Sequence, residues 1–210
     1  LDDVVRKKSV LVISPHTDDA DVGAGGTLIR WGKTTRFNMM HIALSDCMDI
    51  ARNRGFDLAS EFKSAQGFLN TKLRLYNFHN RRFHEQDFDI RELLEELKKE
   101  LTPDIVFCPS SCDIHQDHQT VYAEAFRVFR NNTILGYESP RSSIGFRPDL
   151  YVVLNADIAA EKCQLVGLYK SQQSEYYMKP DNIKALLMHR GAECGRSFAE
   201  GFEVIRGVIE

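Results

Sequence analysis

Two short polar runs hold the side chains best suited to chemistry. The first is Ser14-Pro15-His16-Thr17-Asp18-Asp19-Ala20-Asp21 and the second is Asp113-Ile114-His115-Gln116-Asp117-His118. Between them, His16, Asp19 and His118 supply two imidazoles and one carboxylate, the ligand set of a catalytic zinc that leaves a coordination position open for water. Asp18 is then spare. A carboxylate beside a metal ligand is well placed to take a proton from water, whose pKa such a metal lowers from about 15.7 to about 7. His115 precedes His118 by three residues, so on a turn or a first helical turn both rings can face the same way, one toward metal and the other toward substrate.

Each run directly follows an apolar segment. Ser9-Val10-Leu11-Val12-Ile13 is too apolar for a half-solvated strand and reads as buried on both faces, as central strands of parallel α/β sheets are. Ile105-Val106-Phe107-Cys108 reads the same way. The C-terminal ends of such strands are where α/β sheets place ligands, so the two runs are expected to build one site.

The rest of the chain alternates. A helix is expected to start at Gly25–Trp31, a strand at Phe37–Leu44, a helix over Leu58–Leu69 and a strand over Lys72–Tyr76. Asp89 is the expected cap of a helix over Ile90–Leu101, whose Ile90, Leu93, Leu94, Leu97 and Leu101 form one stripe and which Pro103 ends. Thr120–Phe129 reads as a helix, Leu150–Leu154 as a strand and Asp157–Tyr169 as a helix. This order predicts a Rossmann-like three-layer α/β fold with a mostly parallel central sheet, in a single domain over residues 1–210.

With Val22-Gly23-Ala24-Gly25-Gly26-Thr27 added, the first run resembles the PHPDD-x-x-x-G-x-GG-T signature of the LmbE-like, or PIG-L, family of zinc-dependent de-N-acetylases. His115-Gln116-Asp117-His118 is similar to that family's second motif, H-x-D-H, and Arg190-Gly191, Gly195 and Ala199-Glu200-Gly201-Phe202 resemble its C-terminal block. The resemblance implies zinc, or another divalent transition metal, on His16, Asp19 and His118. It implies Asp18 as general base, His115 as the group assisting the tetrahedral intermediate and leaving amine, and Asp117 as the residue that orients His115. A protonated His115 is expected at the oxyanion. Thr17 stands where the family usually has proline and Ala20 where many members are acidic; both leave the ligands untouched. The family's substrate-side arginine has no secure match, and Arg52 and Arg54 are the candidates. The implied reaction removes an acetyl or other acyl group from an N-acylated amino sugar or its conjugate, with N-acetylglucosamine as the default sugar. Either Asp18 or His115 would protonate the departing amine.

Composition sets bounds on this. A net charge of −3 argues against nucleic acid as the main partner. No apolar run approaches the roughly 18 residues that a membrane span needs, and no signal peptide opens the chain, so a cytoplasmic protein is expected. Leu1 in place of methionine suggests a chain that is not the complete translation product. The five cysteines include no C-x-x-C pair and are odd in number, which favours reduced thiols. Cys108 reads as a buried hydrophobe, and Cys112 has a small claim on the pocket. Oligomeric state is not legible.

The other motifs have plainer readings. Asp21 is expected to cap a helix or orient a ligand histidine. Glu138 and Arg141, candidates for the pocket rim, read more simply as surface charges of a loop, and His41, His79, His84 and His189 as structural. A dinucleotide-binding module fails because the third fingerprint glycine would fall at Leu28, and because Asp18, Asp19 and Asp21 would repel a pyrophosphate. The glycines are expected instead to allow close packing of loop and helix beneath the site. A two-metal phosphohydrolase would want more carboxylates. A non-catalytic metal-binding protein would need neither Asp18 nor His115.

Overall fold

A computed structural model describes residues 6–48 and 55–208. Arg52 and Arg54 lie outside the described residues. Seven strands, β1 (Lys8–Ser14), β2 (Phe37–Ala43), β3 (Lys72–Leu75), β4 (Ile105–Pro109), β5 (Thr133–Tyr137), β6 (Leu150–Leu154) and β7 (Phe198–Arg206), form one sheet. Its order is β3-β2-β1-β4-β5-β7-β6. Pairs from β3 to β5 are parallel, whereas β7 runs antiparallel to both neighbours.

β1 explains the architecture. Along a strand, alternate side chains face opposite ways. Val10 and Val12 enter one core with Ile158, Leu165, Ile183 and Leu187, while Leu11 and Ile13 enter the other with Ile90, Leu94, Val121 and Ala125. The first layer is built by α1 (Asp19–Gly32), α2 (Leu58–Leu69), α5 (Ala156–Val166) and α6 (Pro180–Glu193), and the second by α3 (Asp87–Leu101) and α4 (Gln116–Val128). Full burial of a Leu or Ile side chain is worth about 1.5–3 kcal/mol. Leu11 and Ile13 are both 0% exposed, so this strand is held firmly from each side.

Helix starts differ from expectation where it matters most. α1 begins at Asp19 rather than near Gly25, and α4 at Gln116 rather than Thr120. The polar motif residues are themselves the first helical turns, which apolar periodicity cannot reveal. Asp19 and His118 therefore sit at helix N-termini. α3 begins at Asp87 behind Gln86, leaving Asp89 inside the first turn instead of capping it. β5, β7 and α6 have no counterpart in the expected element order.

Beneath the site, α1 approaches β5 and β6 closely. A Cβ on Gly23 would lie 2.7 Å from Tyr137 Cδ2, and one on Gly26 would lie 2.5 Å from Leu154 Cδ1. Gly26 also admits Glu200 of β7, which accepts from the Gly26 amide at 2.8 Å and the Thr27 amide at 2.6 Å. Lys162 of α5 donates to the same carboxylate at 2.6 Å, with both side chains 2% exposed.

β1 and β4 are adjacent, and the chain departs from them toward opposite edges. Such a switch point leaves a crevice beyond the carboxyl ends of the two strands. Both polar runs open onto it.

Candidate active site

The structure brings His16, Asp19 and His118 together across this crevice, with one donor atom from each lying within 4.8 Å of the others. His16 Nδ1 is 3.1 Å from Asp19 Oδ2, and His118 Nε2 is 3.3 Å from the same oxygen. A tetrahedral zinc site with bonds of about 2.0–2.1 Å has ligand-to-ligand edges of about 3.3 Å, so these separations suit a single ion. The outer nitrogens fit as well. His16 Nε2 lies 3.0 Å from Asp117 Oδ2, and His118 Nδ1 lies 2.8 Å from Asp113 Oδ2. Each ring thus presents one nitrogen to the common point and backs the other with a carboxylate, the support that metal-binding histidines require.

A second grouping, His16, His115 and Asp117, also lies within that range. It suits an ion less well. The Asp117 carboxylate is already occupied by the amides of Arg81 at 2.6 Å and Phe83 at 3.3 Å, and the Asp117 amide donates to His115 Nδ1 at 3.2 Å.

Charge follows the geometry. Burial opposes ionisation of His16, but Asp19 and the hydrogen bonds with Asp117 and Asp19 outweigh it and raise the pKa to about 9. For His118 burial is likewise outweighed, by Asp19 and Asp113, and its pKa reaches about 10. Burial pushes Asp19 upward, yet the two rings hold it well below the ordinary carboxylate range. A divalent ion here would take over the role that the two ring protons play without it.

Asp18 precedes α1 and its side chain makes no capping hydrogen bond. Burial, reinforced by the neighbouring charge of Asp19, raises its pKa to about 7. His115 caps α4 with its own ring, Nδ1 accepting from the Asp117 amide. Burial and the adjacent His118 and His16 rings lower its pKa to about 4. This lowering disfavours the charged ring, and because Nδ1 accepts from the Asp117 amide, the proton of the neutral ring belongs on Nε2. Asp117 meets His115 through its backbone amide and places its carboxylate on His16. A residue in the first turn of a helix can turn its side chain inward while its amide meets the cap.

Asp21 neither caps α1 nor touches a ligand histidine. It is fully buried, receives Tyr169 Oη at 2.5 Å and Gln66 Nε2 at 3.1 Å, and faces His41 Nδ1 at 3.5 Å. Burial raises its pKa to about 7. His41 bonds Ser14 Oγ at 2.7 Å and Gln66 Oε1 at 2.9 Å, a structural position as expected. Tyr169 Oη also reaches the Thr17 carbonyl at 2.7 Å, tying this buried chain to the loop that carries Asp18.

Above these groups lies a cleft of about 570 Å³ whose lining includes Asp18, His115, Arg81, Arg141, Glu175 and Tyr177. Arg141 pairs with Glu175 at 3.1 Å on the rim. Glu138 instead turns inward to the buried Arg190, at 2.7 Å, so it is not a surface charge. Cys112 is half-buried with Sγ 3.3 Å from Ser110 Oγ, and it is not among the residues lining the cleft.

Residues 11–129 match the family described as PIG-L, GlcNAc-PI de-N-acetylase. The chain belongs to this family. YaiS of Escherichia coli K12, named an uncharacterized deacetylase, is 27% identical over 177 residues, covering 79% of the chain and 92% of that protein. The diacetylchitobiose deacetylase of Thermococcus kodakarensis is 24% identical over 237 residues, covering 96% and 85% respectively. The crystal structure of the conserved protein TT1542 from Thermus thermophilus superposes with a TM-score of 0.78 at 22% identity, covering 96% of each chain, which shows a shared fold.

Two residues of this PIG-L site escaped sequence reasoning. Asp113 stood within the second polar run, yet only its 2.8 Å contact distinguishes it from a solvated loop acid. Arg81 carries no motif at all, and the fold alone delivers it to the cleft.

Proposed function

We propose that this chain is a metal-dependent N-deacetylase, a single domain over residues 1–210 that hydrolyses the amide of an N-acylated amino sugar or its conjugate. The observation that carries the proposal is the convergence of His16 Nδ1 and His118 Nε2 on Asp19 Oδ2, with the Asp18 carboxylate on the same cleft and not capping the helix. Zinc, or another first-row divalent ion, held by His16, Asp19 and His118 would polarise the substrate carbonyl and acidify water. The substrate class is supported by family membership and by the name of the Thermococcus relative.

The chain's own groups divide the proton work. Asp18, with a pKa of about 7, suits a base that must accept a proton near neutrality and release it again. It takes a proton from the attacking water, whose oxygen bonds to the amide carbon. His115 donates from Nε2 to the developing oxyanion and needs no positive charge to do so. When the C–N bond breaks, Asp18 returns its proton to the amine nitrogen, and the new carboxyl group gives up its remaining hydroxyl proton to the amine or to solvent, leaving acetate and an amine. Asp18 is the better donor, because a neutral His115 that gave up its Nε2 proton would become an imidazolate.

Among the described residues Cys108, Cys112, Cys163 and Cys194 are free thiols, in keeping with a reducing, cytoplasmic setting. Among the described residues no helix is long and apolar enough to cross a membrane. The decisive assay incubates metal-loaded protein with N-acetylglucosamine, nucleotide-linked N-acetylhexosamines and N-acetylglucosaminyl conjugates. Acetate and amine should appear one for one from at least one of them. Bound metal with no amine from the whole panel would refute the amino-sugar assignment.

A further inference from the structure

Arg81 combines three features that no structural duty explains together. Its backbone is left-handed, with φ 66°, a conformation that glycine adopts freely and an L side chain adopts only at a cost. That turn points its amide at Asp117 Oδ2, 2.6 Å away, a bond that glycine would make equally well. The side chain itself lines the cleft, and among the described residues no carboxylate or carbonyl pairs with its guanidinium. The neighbouring Arg82, by contrast, has an ordinary φ of −130° and bonds Glu85 at 2.9 Å.

The cleft's other charges cancel. Arg141 is matched by Glu175, and a divalent ion would match Asp18 and Asp19. Arg81 is left as an exposed cation on the wall of the cleft, with no ion-pair partner among the described residues.

We propose that Arg81 recognises an anionic substituent, a phosphate or a carboxylate, on the amino-sugar substrate. This rests on the deacetylase reading for the sugar, but not for the anion. A guanidinium suits either group because its planar fork bonds two oxygens at once. Arg81 is thus a specificity residue, and it accepts the backbone cost of a position better suited to glycine.

The test uses metal-loaded protein and measures binding by calorimetry, without turnover. Probes are glucosamine, glucosamine 1-phosphate, glucosamine 6-phosphate and muramic acid. At least one anionic probe should bind about ten- to a hundredfold more tightly than glucosamine, the range of a charge-assisted bond. Arg81→Gly should erase that preference, Arg81→Lys should keep part of it, and Arg82→Ala, which removes the same charge one residue away, should keep it all. Which probe loses affinity identifies the anion and its place on the sugar. Arg81→Gly should also melt about 1–4 °C higher, since the strained side chain is gone. An anionic preference that survives in Arg81→Gly, as it would if phosphate bound only the metal, overturns the proposal. So does the lack of any preference, or a lower melting temperature in Arg81→Gly. Anion binding without deacetylation would defeat the proposed function alone, and deacetylation without anion preference would defeat this inference alone.

Discussion

Two buried ionic clusters touch α1, one at its N-terminus and one at its middle. In the middle, Glu200 accepts from Lys162 and from the Gly26 and Thr27 amides, so donors and acceptors are matched within the protein. At the N-terminus, two ring nitrogens converge on one oxygen of Asp19, and the Asp18 carboxylate, which does not cap the helix, stands beside them. The first cluster is complete as it stands. The second is complete only with two additional protons or with an ion. Removing one member of a matched buried pair is costly, whereas convergent groups with perturbed pKa values are the signature of a functional site.

The sharpest way to break this contrast is to unmatch the first cluster. Glu200→Ala leaves Lys162 buried without its partner and two helix amides without an acceptor. Losing one member of a buried pair costs about 3–5 kcal/mol, and a melting temperature lower by roughly 6–20 °C is expected by calorimetry. A fall of less than about 2 °C would show that this cluster does not hold the fold.

Substitutions in the second cluster should spare the fold and remove chemistry. His115→Ala should keep its metal and lose roughly a hundred- to a thousandfold in turnover, the scale of an oxyanion donor. Asp18→Asn should lose roughly a hundredfold or more, again with metal retained. Near-normal steady-state rates in both variants would contradict the assigned roles. Asp113→Asn acts through His118, so it should weaken metal affinity about ten- to a hundredfold in a chelator competition.

The same contrast extends to pH. His16 and His118 have folded pKa values of about 9 and 10, above their ordinary 6.5. Their contribution to metal-free stability is fully present below pH 6.5 and is lost as pH rises through 9 to 10. Asp18 and Asp21, raised to about 7, act in the same direction between about pH 4 and 7. The metal-free protein should therefore melt progressively lower from pH 6.5 to 10, while the metal-loaded protein should not. Parallel slopes in thermal scans would contradict the proton-for-metal exchange.

Much of this was legible in advance for a physical reason. Buried strands such as Val10–Ile13 and a striped helix such as Leu58–Leu69 carry their own periodicity. The site ligands stood out because polar residues clustered directly after such strands. Legibility failed where a residue's role depends on what the fold places opposite it. The first turns of α1 and α4 are too polar to show a stripe, so the sequence does not reveal that the helices begin as early as Asp19 and Gln116. The sequence suggests that Asp21 caps a helix or orients a ligand histidine, because nothing in it places Tyr169 and Gln66 beside that residue. Glu138 was read as exposed because its partner, Arg190, lies far along the chain.

The central claim, that His16, Asp19 and His118 form one metal site held ready by protons, is tested most directly by titrating zinc into metal-stripped protein at pH 7 while counting protons. About one zinc should bind per chain with about two protons released, and the His118→Ala protein should bind none at the same zinc concentration. Full occupancy in the His118→Ala protein, or binding without proton release in the wild type, would contradict it.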